Sequence, residues 1–163
     1  MQQTHPNDAH PLNVHVYGTE VTPYELRALQ NTIGLHIYPS ARAGFGHLIN
    51  EGRAASALVV TTDVAPLNEL ITEQTGVLIT AASPLSSSSS SSGAGMRTAV
   101  SVINEWGALS AEVTDEAMQS AVEKVLRMTV GQRRNRGQEA RKGFDADTAF
   151  FQEKMRTLAS YCS

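Results

Sequence analysis

The sequence predicts an α/β domain built on an open parallel sheet, and three observations lead there. Apolar, β-branched runs alternate with stretches of helical periodicity, the arrangement of strand–helix–strand units joined by right-handed crossovers. One of those runs, 57–62 (Ala-Leu-Val-Val-Thr-Thr), starts with four consecutive apolar residues, as a strand covered on both faces does. Glycine or proline stands at most junctions between units. A length of 163 residues suits one domain and is too short for two complete α/β domains, while a 41% hydrophobic share supplies a packed core.

The elements follow in order. Residues 1–11 are polar with two prolines and no periodicity, which predicts a disordered leader before a partial domain at 12–163. Residues 13–17 (Asn-Val-His-Val-Tyr) alternate polar and apolar and read as a short strand entering a turn at Gly18. A helix should start at Thr22. Pro23 suits its first position, Glu25 completes a Thr-x-x-Glu capping box, and Val21 and Leu26 are spaced as a hydrophobic staple. Leu26, Leu29 and Ile33 share one face, and Gly34 is expected to end the helix in the left-handed conformation. Residues 35–38 read as the next strand, stopped by Pro39. Then come a Gly44-Phe45-Gly46 turn, a helix at 47–56, the strand at 57–62, a short helix at 66–73 stopped by Gly76, and a strand at 77–80.

Past Pro84 the pattern dissolves into seven consecutive serines, 86–92, and a Gly-Ala-Gly, a composition that cannot bury enough apolar surface to fold. A flexible insertion is expected at 84–96. Periodicity returns with a helix capped by Thr114 and stapled by Val113 and Met118, whose buried stripe should be Met118, Ala121, Val122, Val125 and Leu126. A last helix carries Phe151, Met155 and Leu158 at the same spacing. Between the two stand Arg133, Arg134, Arg136, Arg141 and Lys142. The cluster could meet phosphates, but its acidic neighbours favour a solvated helix face.

Composition narrows the function. A net charge of −3 provides no broad cationic field, so no nucleic-acid partner is expected. No apolar run approaches the roughly 20 residues needed to span a bilayer, and residues 1–11 lack a signal peptide's features, which predicts a cytoplasmic protein with no integral membrane segment. Cys162 is the single cysteine, so no disulfide forms within the chain, and it reads as a frayed surface thiol. No Gly-x-Ser-x-Gly elbow supports a hydrolase, and no histidine pair has metal spacing.

The chemistry concentrates between Pro39 and Leu70. A glycine-rich turn between a strand's carboxyl end and a helix start lets backbone amides approach an anion, and the helix dipole favours phosphate there. On the helix that follows, His47 and Glu51 lie four apart on one face, while Leu48, Gly52 and Ala55 form another that should pack on the sheet. A carboxylate one turn inside a helix can accept two hydrogen bonds from a vicinal diol such as a ribose. Glu51 is therefore the first candidate for a ligand contact.

The order Pro39-Ser40, Gly44-Phe45-Gly46, Glu51, the strand at 57–62, then Pro66-x-Asn68-Glu69 resembles the donor-binding core of group-1 type retaining glycosyltransferases. The likeness covers roughly two-thirds of the chain, with 14–33 similar to the strand and helix before that core and 115–158 to its closing helices. It implies a partial Rossmann-like parallel sheet, half of the two-Rossmann-domain (GT-B) fold, closed by C-terminal helices. It also implies a nucleotide-sugar donor as substrate, no metal or other cofactor, and a facing N-terminal Rossmann-like domain as partner. By the same likeness, Gly44, Phe45 and Gly46 match the loop along the donor, His47 the helix start that meets the phosphates, and Glu51 the glutamate that holds the ribose. Asn68 and Glu69 match a pocket wall, although capping and pinning the short helix serves equally well.

Two departures qualify the likeness. Ala43 stands where the family's first glutamate would fall, and nothing before Val14 supplies the family's two further strands or its diphosphate-gripping basic pair. The expected function is thus the donor-binding half of a glycosyltransferase, inactive in isolation, with no assignable catalytic residue. The alternative is a noncatalytic fragment or binding module that keeps a nucleotide half-site. An unrelated receiver or carrier domain would need acids clustered at strand ends, and Asp63 alone does not provide them.

Overall fold

The computed structural model describes residues 20–41, 44–81, 102–103 and 109–161. The expected leader, the strand at 13–17, the serine-rich segment 84–96, Arg42, Ala43 and Cys162 lie outside them. The elements in chain order are α1 (Pro23–Thr32), β1 (Leu35–Tyr38), α2 (His47–Ala54), β2 (Leu58–Thr62), α3 (Leu67–Leu70), β3 (Gly76–Ile79), β4 (Val102–Ile103), β5 (Leu109–Ser110), α4 (Asp115–Arg127) and α5 (Val130–Tyr161). The fold is α/β: a partial Rossmann-like parallel sheet, flanked by helices and closed by the C-terminal pair. Strands β1, β2 and β3 are ordered as in the chain, with Leu35 opposite Leu58 and Val59 opposite Gly76. A two-residue antiparallel ladder of β4 with β5, which no periodicity announced, stands apart from that sheet.

Strand β2 organises the core because every one of its residues is buried. Alternate side chains point to opposite faces. Leu58 and Val60 meet Val77, Ile79 and the Ala121 and Val125 of α4, while Val59 meets Ile49 of α2, Leu67, Ile71 and Ala140 of α5. Helix α4 therefore covers one face of the sheet, and α2, α3 and α5 cover the other. Each fully buried valine or leucine contributes about 1.5 to 3 kcal/mol.

The start of α1 is the capping box that its sequence dictates. Glu25 N donates to Thr22 Oγ1 at 3.3 Å, and Thr22 N donates to Glu25 Oε2 at 2.9 Å. The side-chain hydrogen bond from Thr22, then the backbone one, holds the Glu25 carboxyl below its usual pKa. Its end differs from expectation. Ile33, not Gly34, is the cap, in extended backbone at φ −89°. Among the described residues only Gly46 and Ser56 have positive φ. The strand begins at once with Leu35, and the His36 ring meets the Gln30 carbonyl, which a left-handed glycine cap would otherwise serve, as well as that of Ile33.

Gly76 is likewise not a helix stop but the first residue of β3. A Cβ there would lie 2.5 Å from the Val59 carbonyl oxygen, so glycine permits the close approach of β3 to β2. Helix α3 is shorter than the 66–73 expected, because a turn at 72–75, closed by Thr75 N to Thr72 O at 3.0 Å, takes over its last residues. Helix α2 ends at Ala54, ahead of left-handed Ser56.

In α4, Thr114 caps through Ala117 N at 3.2 Å, and Ala121 and Val125 are buried as expected. Leu126 is 71% exposed, since one residue past Val125 the helix has turned about 100° off the sheet. Helix α5 corrects a second stripe. Its buried residues are Gly137 and Ala140, whereas Phe151, Met155 and Leu158 are all exposed. The basic cluster is also only partly solvated. Arg136 donates to the Gly76 carbonyl at 2.7 Å, and Arg141 donates to the Ala54 carbonyl.

Candidate functional site

Strand β1 places His36 and Tyr38, two residues apart, on one face. Gly52 lets α2 lie close on that face, since a Cβ there would be 2.7 Å from Val59 Cγ2 and 3.1 Å from His36 Nδ1. The buried face of α2 is thus Ile49, Gly52 and Arg53, not Leu48, Gly52 and Ala55; Leu48 is exposed. The reason lies in Arg53, a polar residue buried because it has partners. It donates to Asn50 Oδ1 at 2.8 Å and to Asp147 Oδ2 of α5 at 2.7 Å.

Sequence reasoning overlooked the polar network this packing creates. His36 Nε2 lies 3.0 Å from the carbonyl oxygens of both Gln30 and Ile33, which can only accept. The proton therefore sits on Nε2, and Nδ1 accepts from the Tyr38 hydroxyl at 3.1 Å. Burial, and secondarily the Glu51 charge, raise the Tyr38 pKa above 10.0. Because the folded hydroxyl keeps its proton when the unfolded one has lost it, this contribution is complete below pH 10.0 and is lost as pH rises through the folded value. Tyr38→Phe should flatten the alkaline fall of stability in urea titrations above about pH 10. An unchanged slope would show that Tyr38 has no such linkage. The polar pair at alternate positions of an otherwise apolar strand was the signal that could have been read.

Glu51 is exposed and accepts a 2.6 Å hydrogen bond from Gln30 Nε2. Gln30 thus serves the network twice, its carbonyl facing His36 and its amide orienting Glu51. Of the two bases a structural glutamate would engage, Arg53 is turned to Asn50 and Asp147 instead, and Arg42 lies outside the described residues. One helical turn before Glu51, His47 is exposed and its ring lies 5.0 Å from that of Phe45. Gly46 caps α2 in the left-handed conformation, φ 73°, with no side-chain cap among the described residues, and the first turn carries no acidic residue. Left-handed backbone favours glycine, and here a Cβ would also meet Leu70 Cδ1 at 2.7 Å. Gly44 is exposed beside it.

The structure thus brings Phe45 and His47 into contact at the start of α2, with Glu51 one turn further along the same helix. Asn68 stands apart, donating to Asp63 Oδ1 at 3.0 Å, so it pins the loop after β2, while Glu69 is exposed. Among the described residues no group of three or more His, Cys, Asp or Glu could hold a metal ion, and no helix is long and apolar enough to cross a membrane. No protein-family model matches the sequence, and no curated protein matches it significantly.

Proposed function

We propose that the start of α2 and Glu51 form the nucleotide half-site of a glycosyltransferase donor-binding domain, facing a second Rossmann-like domain. One observation carries this reading: an exposed carboxylate, oriented by Gln30, stands one turn beyond a helix start whose cap, Gly46, has no side chain to occupy its amides. In the reading, ribose hydroxyls donate to Glu51, and the first-turn amides and helix dipole receive the donor's phosphates. The Phe45 and His47 rings flank the Gly44 to Gly46 loop along which the donor lies.

Protein-observed NMR titration with a nucleoside diphosphate tests it. Amides of residues 44–51 should shift, a 2′,3′-dideoxy analogue should bind more weakly, and Glu51→Gln should cost about 1.5 to 3 kcal/mol of binding as a charge-assisted bond is lost. The melting midpoint without ligand should barely change, because Glu51 is exposed. Equal affinity for the two nucleotides, or for both proteins, would remove Glu51 from ribose recognition. Ala43 favours a second reading, in which the half-site binds without supporting transfer. Donor turnover by the chain with Ala43 in place, in the presence of the facing domain, would decide for transfer, whereas turnover gained only by Ala43→Glu would decide for binding alone.

A further inference from the structure

Helix α5 spans 32 residues, about 48 Å at 1.5 Å per residue. One stripe runs along it at steps of three or four. Gly137, Ala140 and Phe144 begin the stripe, and Thr148, Phe151, Met155 and Leu158 continue it. The mean step is about 3.5, the period that keeps a seam facing a partner helix. The body covers the first part, where Gly137 and Ala140 are buried, and the last anchor to it is Asp147 on Arg53. Beyond that ion pair every residue from 149 to 161 is exposed, including Phe151 (62%) and Leu158 (57%).

A helical segment of this length is marginal in water without a partner for its apolar side. We propose that the partner is a second copy of this chain, with 148–161 paired antiparallel to itself. Reversal about residue 153 sets Met155 against Phe151 of the other copy and Thr148 against Leu158, so the seam is self-complementary, as a two-fold interface must be. A parallel pair is excluded by the body, which already occupies that face at Gly137 and Ala140. The segment carries Glu153, Lys154 and Arg156 only, too little charge to select an acidic or basic partner. Lys154, which would meet its own counterpart near the two-fold, is drawn 5.1 Å above the Phe150 ring, off the seam.

The area sets the strength. With about 100 Å² exposed on each of the seam residues Phe151, Met155 and Leu158, the pair would cover about 600 Å², below the roughly 1,000 Å² of a stable specific interface. The dimer is therefore weak and reversible. Sedimentation velocity of the full chain from about 5 to about 500 μM should show a concentration-dependent rise from 17.5 kDa toward twice that mass. Met155→Glu should weaken association at least about tenfold without lowering the melting midpoint, and Leu126→Glu on α4 should leave association unchanged. In a Cys162→Ser background, nitroxides at Gln138 should lie about 45 Å apart in the dimer, from the 1.5 Å rise along two antiparallel helices. A chain that stays monomeric throughout, a Met155→Glu variant that associates like wild type, or a nitroxide separation near 15 Å as in a parallel pair would each overturn the proposal.

Discussion

Gly137→Ala should lower the unfolding free energy by about 2 to 3 kcal/mol, against a helix-propensity gain of about 1 kcal/mol. A Cβ at this position would fall on the carbonyl oxygen of Ser56 and within 3.0 Å of the Ala57 carbonyl carbon. Those are backbone atoms with little freedom to yield. Ser56 is held left-handed at φ 57°, and Ala57 N is bonded to Gly52 O at 3.1 Å. Helix α5 would have to lift from α2 and β2 to make room. Gly131→Ala is the matched control. Its Cβ would come no nearer than 3.9 Å to Thr129 Oγ1, so the propensity gain should appear as unchanged or slightly raised stability. Urea unfolding of both variants measures the contrast, and equal stabilities would deny that α5 rests on the α2–β2 loop through Gly137.

The second large effect is expected at Asp147. Its carboxylate is 64% exposed, yet it holds a guanidinium that is only 6% exposed and whose buried Nε has no hydrogen-bond partner among the described residues. Asp147→Ala leaves that cation with Asn50 as its remaining side-chain partner, at a cost of about 2 to 3 kcal/mol, below the 3 to 5 kcal/mol of a fully buried pair because water reaches the vacated position. Adding Arg53→Met should recover most of the loss, since an uncharged chain of similar length fills the site without needing an acceptor. A double variant as unstable as Asp147→Ala alone would mean that the cost comes from helix α5 itself rather than from the stranded charge.

Most of the fold could be read from local rules, and its departures have a common cause. The Thr22–Glu25 capping box, the Thr114 cap and the apolar run of β2 are set by neighbours within a few residues, and the structure keeps all three. Gly76 departs from expectation because a glycine signals either a left-handed turn or a close approach, and only the packing partner decides which, whereas Gly34 is neither, the His36 ring serving the helix end instead. At Gly76 the partner is Val59 O, across the sheet. Periodicity marked Phe151, Met155 and Leu158 as a helix face but could not say where the body ends beneath it. At the candidate site, Glu51 is legible from its place on the helix, while Gly46 and His47 enter through the order of motifs and the resemblance it carries. Gln30, His36 and Tyr38 are not legible, because their hydrogen bonds link α1 and β1 to one another and to α2 only after the chain has folded back.

The three contacts that α5 makes through Arg136, Arg141 and Asp147 also govern when the site can take shape. They secure Gly76, Ala54 and Arg53, partners 60, 87 and 94 residues away in sequence. Contacts of such separation form late, because a long stretch of chain must be ordered before they can contribute. During synthesis the glycine turn and Glu51 leave the ribosome well before the helix that holds α2 in place. A ligand that needs α2 fixed against the sheet would therefore meet a competent surface only once α5 has docked, and assembly of the site would report the last step of folding.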